Sequence, residues 1–141
     1  MSNIKFFTIA MFAIVVFFSL SYEREIKSDR VAVVLESVVD ADTFRFRGVS
    51  ASVRTLPLDC SEMNTEEGRS QALIIARYLR ACDKIEIERD ATQASCDVYG
   101  RLLVYVVCDG VYIDTRQHAA GCSLSPYTVR SKNPPERASL Y

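Results

Sequence analysis

The hydrophobic period of this chain changes twice, and the order of the changes limits the folds open to it. Thr43-Phe44-Arg45-Phe46-Arg47 alternates apolar and polar residues, as a strand with one buried face does. Ala72, Ile75, Ala76 and Leu79 then recur at helical spacing and give a helix one apolar face. Lys84-Ile85-Glu86-Ile87-Glu88 returns to alternation, and Leu102 to Val107 is a near-continuous apolar run suited to a buried strand. Upstream, Val31-Ala32-Val33-Val34-Leu35 opens the β-rich region, and Val49 to Leu58 resumes a strand pattern after a turn at Gly48. Asn64 or Thr65 is placed to cap the helix, with Glu66 and Glu67 in its first turn. A second, short helix is expected over about 113–120, and Asp109-Gly110 is a hairpin or turn signal.

Five strands with a helix between the third and fourth predict an α+β fold, mainly β. The order is that of a five-stranded OB-type Greek-key barrel carrying two short-to-medium helices. The 141 residues suit one domain, expected over 31–127, after a connector at 22–30 and before a loose C-terminal tail at 128–141 that contains Pro134-Pro135. Met1 to Ser21 reads as a signal peptide or an N-terminal anchor. Lys5 supplies the positive start, Phe6 to Leu20 is apolar but for Thr8 and Ser19, and Ser19-Leu20-Ser21 offers small residues for cleavage. The stretch falls short of the roughly 20 apolar residues that span a bilayer comfortably. Cleavage would leave an exported protein, periplasmic or secreted. Retention would leave a membrane-anchored one with its domain outside the cytoplasm.

Five cysteines (Cys60, Cys82, Cys96, Cys108 and Cys122) agree with an oxidising compartment. Cys96 and Cys108 flank the strand that ends at Val107, so this pair is the expected disulfide, and the odd count leaves at least one thiol over. There is no Cys-x-x-Cys, and His118 is the one histidine, which argues against a zinc site. The net charge of −1 becomes about −2 once a leader whose only charge is Lys5 is removed. A broad basic surface for nucleic acid is thereby disfavoured, though local recognition of one phosphate is not.

The chemistry-bearing residues fall in three short stretches: Asp40-Ala41-Asp42-Thr43, then Arg54 through Asp59-Cys60-Ser61-Glu62, then Asp97-Val98-Tyr99-Gly100-Arg101. Asp40 and Asp42 share a face if the segment is extended, although Asp-x-Asp-Thr between strands is by itself an ordinary turn. Carboxylates of this kind hold a hard divalent cation, one further carboxylate activates water, and arginines clamp charge on phosphorus.

In order, spacing and flanking strand patterns, these stretches resemble the staphylococcal-nuclease (thermonuclease) family from about Val31 to Tyr127. The resemblance implies a Ca2+-dependent nuclease that hydrolyses DNA, RNA or both, acting as a monomer. It assigns direct metal ligation to the carboxylates of Asp42 and Asp59 and to the backbone carbonyl of Cys60. Asp40 would support the site from behind, and Thr43 lies near it without ligating. Glu62 corresponds to the general base, Arg54 and Arg101 to the phosphate clamp, and Tyr127 to a tyrosine that lines the nucleotide site, while Tyr99, two residues before Arg101, is placed to touch the phosphate or stack on a base. Two residues depart from the family pattern, with Ala41 in place of glycine and Ser61 in place of proline. A need for positive φ at position 41 would strain the turn, and losing the proline would loosen the loop before Glu62. The competing expectations are a catalytically silent OB-type nucleic-acid-binding domain and a membrane-anchored interaction module whose acidic loop binds Ca2+ structurally.

Overall fold

The structure, a computed structural model, describes residues 30–90 and 94–125. The leader, most of the expected connector, Tyr127 and the tail lie outside the described residues. The fold is mixed α+β. Its strands are β1 (Arg30–Val33), β2 (Leu35–Asp40), β3 (Thr43–Phe46), β4 (Val53–Thr55), β5 (Leu58–Asp59), β6 (Ile85–Arg89), β7 (Leu102–Cys108), β8 (Val111–Tyr112) and β9 (Ser123–Leu124). Helix α1 (Glu66–Arg80) lies between β5 and β6, and α2 (Asp114–Ala119) between β8 and β9.

One sheet runs in the order β1-β6-β7-β4-β3-β2, while β5 and β9 form a separate two-stranded sheet. All pairs in the path are antiparallel except β4 with β7, which run parallel from Val53 opposite Leu102 to Thr55 opposite Val104. The two ends of the path, β1 and β2, are separated in the chain by Val34 alone. Arg30, expected in the connector, is instead the first residue of β1. It faces Glu88 on β6 and is paired with it at 2.8 Å.

The core explains the periods in the sequence. Phe44 and Phe46 on β3 point inward while Arg45 between them is exposed. Val53, Leu58, Ile75, Leu79, Val104, Val106 and Ile113 complete the centre of the cluster. Each such side chain contributes about 1.5–3 kcal/mol by leaving water. α1 packs against β2 and buries Ala72, Ile75, Ala76 and Leu79, the four residues that carry the helical repeat. Its start is set by Thr65, whose Oγ1 accepts the Gly68 N–H at 2.9 Å, with Glu66 and Glu67 in the first turn and Arg77 and Arg80 in the last.

The third expected strand, Val49 to Leu58, is two strands, β4 and β5, divided at Leu56-Pro57. Proline has no N–H to give to a ladder. β8 and β9, of two residues each, are too short to leave a period in the sequence. The turn between β7 and β8 is Asp109-Gly110, both at positive φ (48° and 84°), the geometry of a two-residue hairpin.

Candidate active site

Asp40 closes β2 and Thr43 opens β3 directly opposite, so Ala41 and Asp42 form the turn between them. The Asp42 N–H donates to Asp40 Oδ1 at 3.1 Å, a local turn bond of the kind aspartate makes. Among the described non-glycine residues only Asp109 has positive φ, so Ala41 sits in ordinary backbone and the alanine costs the turn no strain. Its methyl joins the core and its carbonyl accepts the Gln117 Nε2–H at 2.7 Å.

β4 places Arg54 opposite Thr43. From there its guanidinium donates through Nη1 to Asp42 Oδ1 at 2.8 Å and through Nη2 to Asp59 Oδ1. Thr43 Oγ1 also donates to Asp42 Oδ1, at 3.0 Å, and the Cys60 N–H donates to Asp42 Oδ2 at 2.7 Å. Asp42 is only 2% exposed, whereas the Asp59 side chain is 44% exposed and borders solvent. Burial pushes the Asp42 carboxyl up to about 7, against the pull of Arg54, and the neighbouring Asp40 adds to the rise. For Arg54 burial opposes the charged form, but Asp42, Asp59 and Asp40 outweigh it and hold the group above its ordinary value.

With Asp42 ionised, three carboxylates against one guanidinium leave two negative charges in excess, the charge of one divalent cation. The carboxylates offer oxygen, the donor type that Ca2+ accepts once waters fill the remaining positions. These residues suit such an ion in donor type, and without one Asp42 Oδ1, Asp42 Oδ2 and Asp59 Oδ1 are occupied by Arg54, Thr43 and the Cys60 N–H.

The second arginine comes from the loop that enters β7. The Asp97 carboxylate accepts the backbone N–H groups of Tyr99 (2.9 Å) and Arg101 (3.0 Å), and the Arg101 Nε–H at 2.6 Å. Burial works against the Asp97 charge, but these donors, led by the Arg101 backbone, hold its carboxyl below the usual range. Arg101 Nη1 then reaches Thr43 Oγ1 at 3.4 Å, which joins this loop to the carboxylate turn. Its guanidinium lies 5.5 Å from the centre of the Tyr99 ring, and Val98 and Tyr99 are 86% and 79% exposed.

Glu62 is exposed and makes no side-chain hydrogen bond or ion pair with another described residue. Its backbone, however, is firmly seated on the start of α1. The Glu62 carbonyl accepts Thr65 N–H at 3.0 Å and Thr65 Oγ1–H at 2.7 Å. Gly68 allows the contact, because a Cβ there would lie 2.0 Å from the Glu62 carbonyl oxygen. Ser61 does not loosen the loop. Its N–H, which proline would lack, donates to buried Gln71 Oε1 at 2.8 Å, and its Oγ donates to Glu67 Oε2 at 3.0 Å.

The expected Cys96–Cys108 disulfide is not formed. Cys60 is bonded to Cys122 and Cys82 to Cys108, while Cys96 is free and exposed. Cys96 bridges Leu102 at the start of β7 and Cys108 ends that strand, so the two lie roughly 20 Å apart at about 3.3 Å per residue. A disulfide needs Cα atoms within about 7 Å. Cys108 instead faces Ile85, beside Cys82 just past the end of α1. Cys82, Cys108 and Asp109 form a tight group of potential ligands. With both sulfurs bonded to each other, and Asp109 accepting from Asp83 and Lys84, that group has no thiolate to offer a metal.

The structure thus brings together Asp40, Asp42, Asp59, Cys60 and Arg54, and links Arg101 and Tyr99 to them through Thr43. It leaves Glu62 on the exposed edge. The anchors Asp97, Gly68, Gln71 and Gln117 had no assigned role in the sequence reading. Both glutamines carried a signal, since Gln71 is one turn before Ile75 and Gln117 one turn after Ile113, polar residues in phase with apolar faces. A cavity of about 310 Å3 lies elsewhere, between Val33, Leu35, Leu79, Arg80 and Ile85. No protein-family model matches the chain, and no curated protein matches it.

Proposed function

We propose that the chain is a Ca2+-dependent nuclease of the thermonuclease type, hydrolysing phosphodiester bonds of DNA, RNA or both. The observation that carries this reading is the bridge from Arg54 to Asp42 and Asp59, a cluster that has two negative charges in excess once Asp42 is ionised, with Arg101 beside it. Asp42, Asp59 and the Cys60 carbonyl would hold the ion, with Asp40 bonded behind them. Bound there, the ion supplies positive charge that offsets the phosphate and acidifies a neighbouring water.

The protein's own groups divide the remaining work. Glu62, open to solvent, takes the proton from the water that attacks phosphorus. Arg54 and Arg101 donate to the non-bridging oxygens, where charge builds as five-coordinate phosphorus forms, and a planar fork suits that geometry. The phosphorus–5′-oxygen bond breaks, the leaving oxygen gains a proton from solvent, and a 3′-phosphate end remains. Asp97 keeps Arg101 aimed, and Tyr99 lies beside it to meet a phosphate or a base.

The same reading treats the sheet as an OB-type barrel. It is supported by β1 and β2 being consecutive in the chain yet at opposite ends of the sheet path, and by α1 lying between β5 and β6. Two disulfides support an exported location, and no helix among the described residues is long and apolar enough to cross a membrane. One observation favours the silent-binder alternative: Arg54 already spends both ends of its fork on Asp42 and Asp59.

Incubation with single-stranded DNA, with Ca2+ and then with a chelator, beside a Glu62→Gln variant, separates the two. The nuclease reading expects Ca2+-dependent cleavage that falls by orders of magnitude in the variant. A folded, Ca2+-loaded protein that binds DNA without cutting it would establish the silent binder.

A further inference from the structure

One short stretch of chain reaches both halves of the carboxylate site. Gln117 on α2, fully buried, donates its Nε2–H to the carbonyl of Ala41, which lies between Asp40 and Asp42. Past the end of that helix, Cys122 is bonded to Cys60, the residue that follows Asp59 and donates its N–H to Asp42. β9 continues the grip by pairing Ser123 with Asp59. The other end of the Gln117 amide, Oε1, is buried without a hydrogen-bond partner among the described residues. Leucine would fill about the same space and remove the unpaired Oε1, but it would strand the buried Ala41 carbonyl, so packing alone does not account for a glutamine here.

We propose that Gln117 is a positioning residue for the carboxylate site. It fixes the Asp40–Asp42 turn against the stretch that Cys122 ties to Cys60, and thereby sets the separation of Asp42 from Asp59. α2 has six residues and no side-chain cap, so it has little stability of its own and acts through these attachments. The consequence for Ca2+ rests on the function proposed above. The geometric role does not.

The test uses the full chain with its disulfides intact, as Gln117→Leu and as Gln117→Met, each of which removes the donor while keeping bulk. Amide hydrogen exchange is followed without metal at Asp42 and at Thr55, whose N–H donates to the Asp42 carbonyl at 2.8 Å. Ca2+ binding is measured by calorimetry. Exchange at both amides should quicken about tenfold or more while Val106 and Val107 in β7 stay protected. Ca2+ affinity should fall by about 10–100-fold, as it does when the support behind a metal ligand is lost. Unchanged exchange at Asp42 and Thr55 in both variants would overturn the proposal. So would an equal loss of protection in β7, which would make Gln117 an ordinary core residue. Wild-type protein that binds no Ca2+ would sink the metal reading, and the exchange comparison would still decide for or against Gln117.

Discussion

Arg54 holds Asp42 by a 2.8 Å bond between a guanidinium and a carboxylate that are both largely removed from water. Taking away one partner of such a pair strands the other as a buried charge, at a cost of about 3–5 kcal/mol. Arg54→Ala should lose about that much stability at pH 8 without metal, read from urea denaturation. Arg54→Lys should recover only part of it, because a single ammonium cannot also reach Asp59 as the fork does. A loss below about 1 kcal/mol in Arg54→Ala would show that the pair is solvated and the cluster is not as drawn.

The Asp42 carboxyl, raised to about 7 by burial, makes the pH response of the metal-free protein run opposite to that of an ordinary paired aspartate. The folded state keeps this proton up to about pH 7, whereas the unfolded chain releases it near pH 4. Its contribution to stability is therefore complete below about pH 4 and is lost as pH rises through 7, with a slope of at most roughly 1.4 kcal/mol per pH unit. Ca2+ should act in the other sense. It takes the ionised carboxylate, so its affinity should rise about tenfold per pH unit and level off above pH 7. Thermal melts from pH 4 to 9, with Ca2+ and with chelator, check both slopes, and Asp42→Asn should flatten the metal-free one.

Helix α1 and the Asp109-Gly110 turn were legible in the sequence because their signals are local: a 3.6-residue period with a cap, and two residues suited to left-handed backbone. The carboxylates and Arg54 were legible for a related reason, since the turn between β2 and β3 and the adjoining strand β4 bring them together over a short span of chain. The disulfides were not, because pairing follows tertiary adjacency. Cys108 meets Cys82 only because β7 ends beside the C-terminal end of α1. Gln117 and Ala41 are 76 residues apart, and their bond depends on how a six-residue helix is seated. Nor does any alternation reveal that Ser61 spends its N–H on Gln71.

Gly68 should be the least replaceable residue near Glu62. Substituting alanine for an exposed mid-helix glycine gains up to about 1 kcal/mol. Here the added Cβ would meet the Glu62 carbonyl oxygen at 2.0 Å and the Ser61 carbonyl oxygen at 2.5 Å, both backbone atoms that cannot swing aside. Gly68→Ala should therefore lower the melting temperature and push the Ser61–Glu62 backbone off the helix. About 1 Å of such displacement is enough to cost roughly a hundredfold in rate. An alanine variant with unchanged melting and unchanged Ca2+-dependent cleavage would mean that the loop has room the structure does not give it.

The cysteines make separable predictions. Peptide mapping of the oxidised protein should give Cys60–Cys122 and Cys82–Cys108, with Cys96 alone alkylated before reduction. Cys96→Ser should leave stability within about 0.5 kcal/mol of the parent, since an exposed free thiol supports nothing. Cys60→Ala/Cys122→Ala opens a loop of 62 residues and should cost about 4 kcal/mol on chain-entropy grounds. Cys82→Ala/Cys108→Ala spans 26 residues and should cost about 3.5 kcal/mol. The two losses differ in kind as well as size. Cys60 donates its N–H to Asp42 and supplies the carbonyl assigned to the ion, so only its disulfide should weaken Ca2+ binding along with stability. Equal effects of the two bridges on Ca2+ affinity, at matched folded fractions, would place the metal somewhere other than the Asp42–Asp59 cluster.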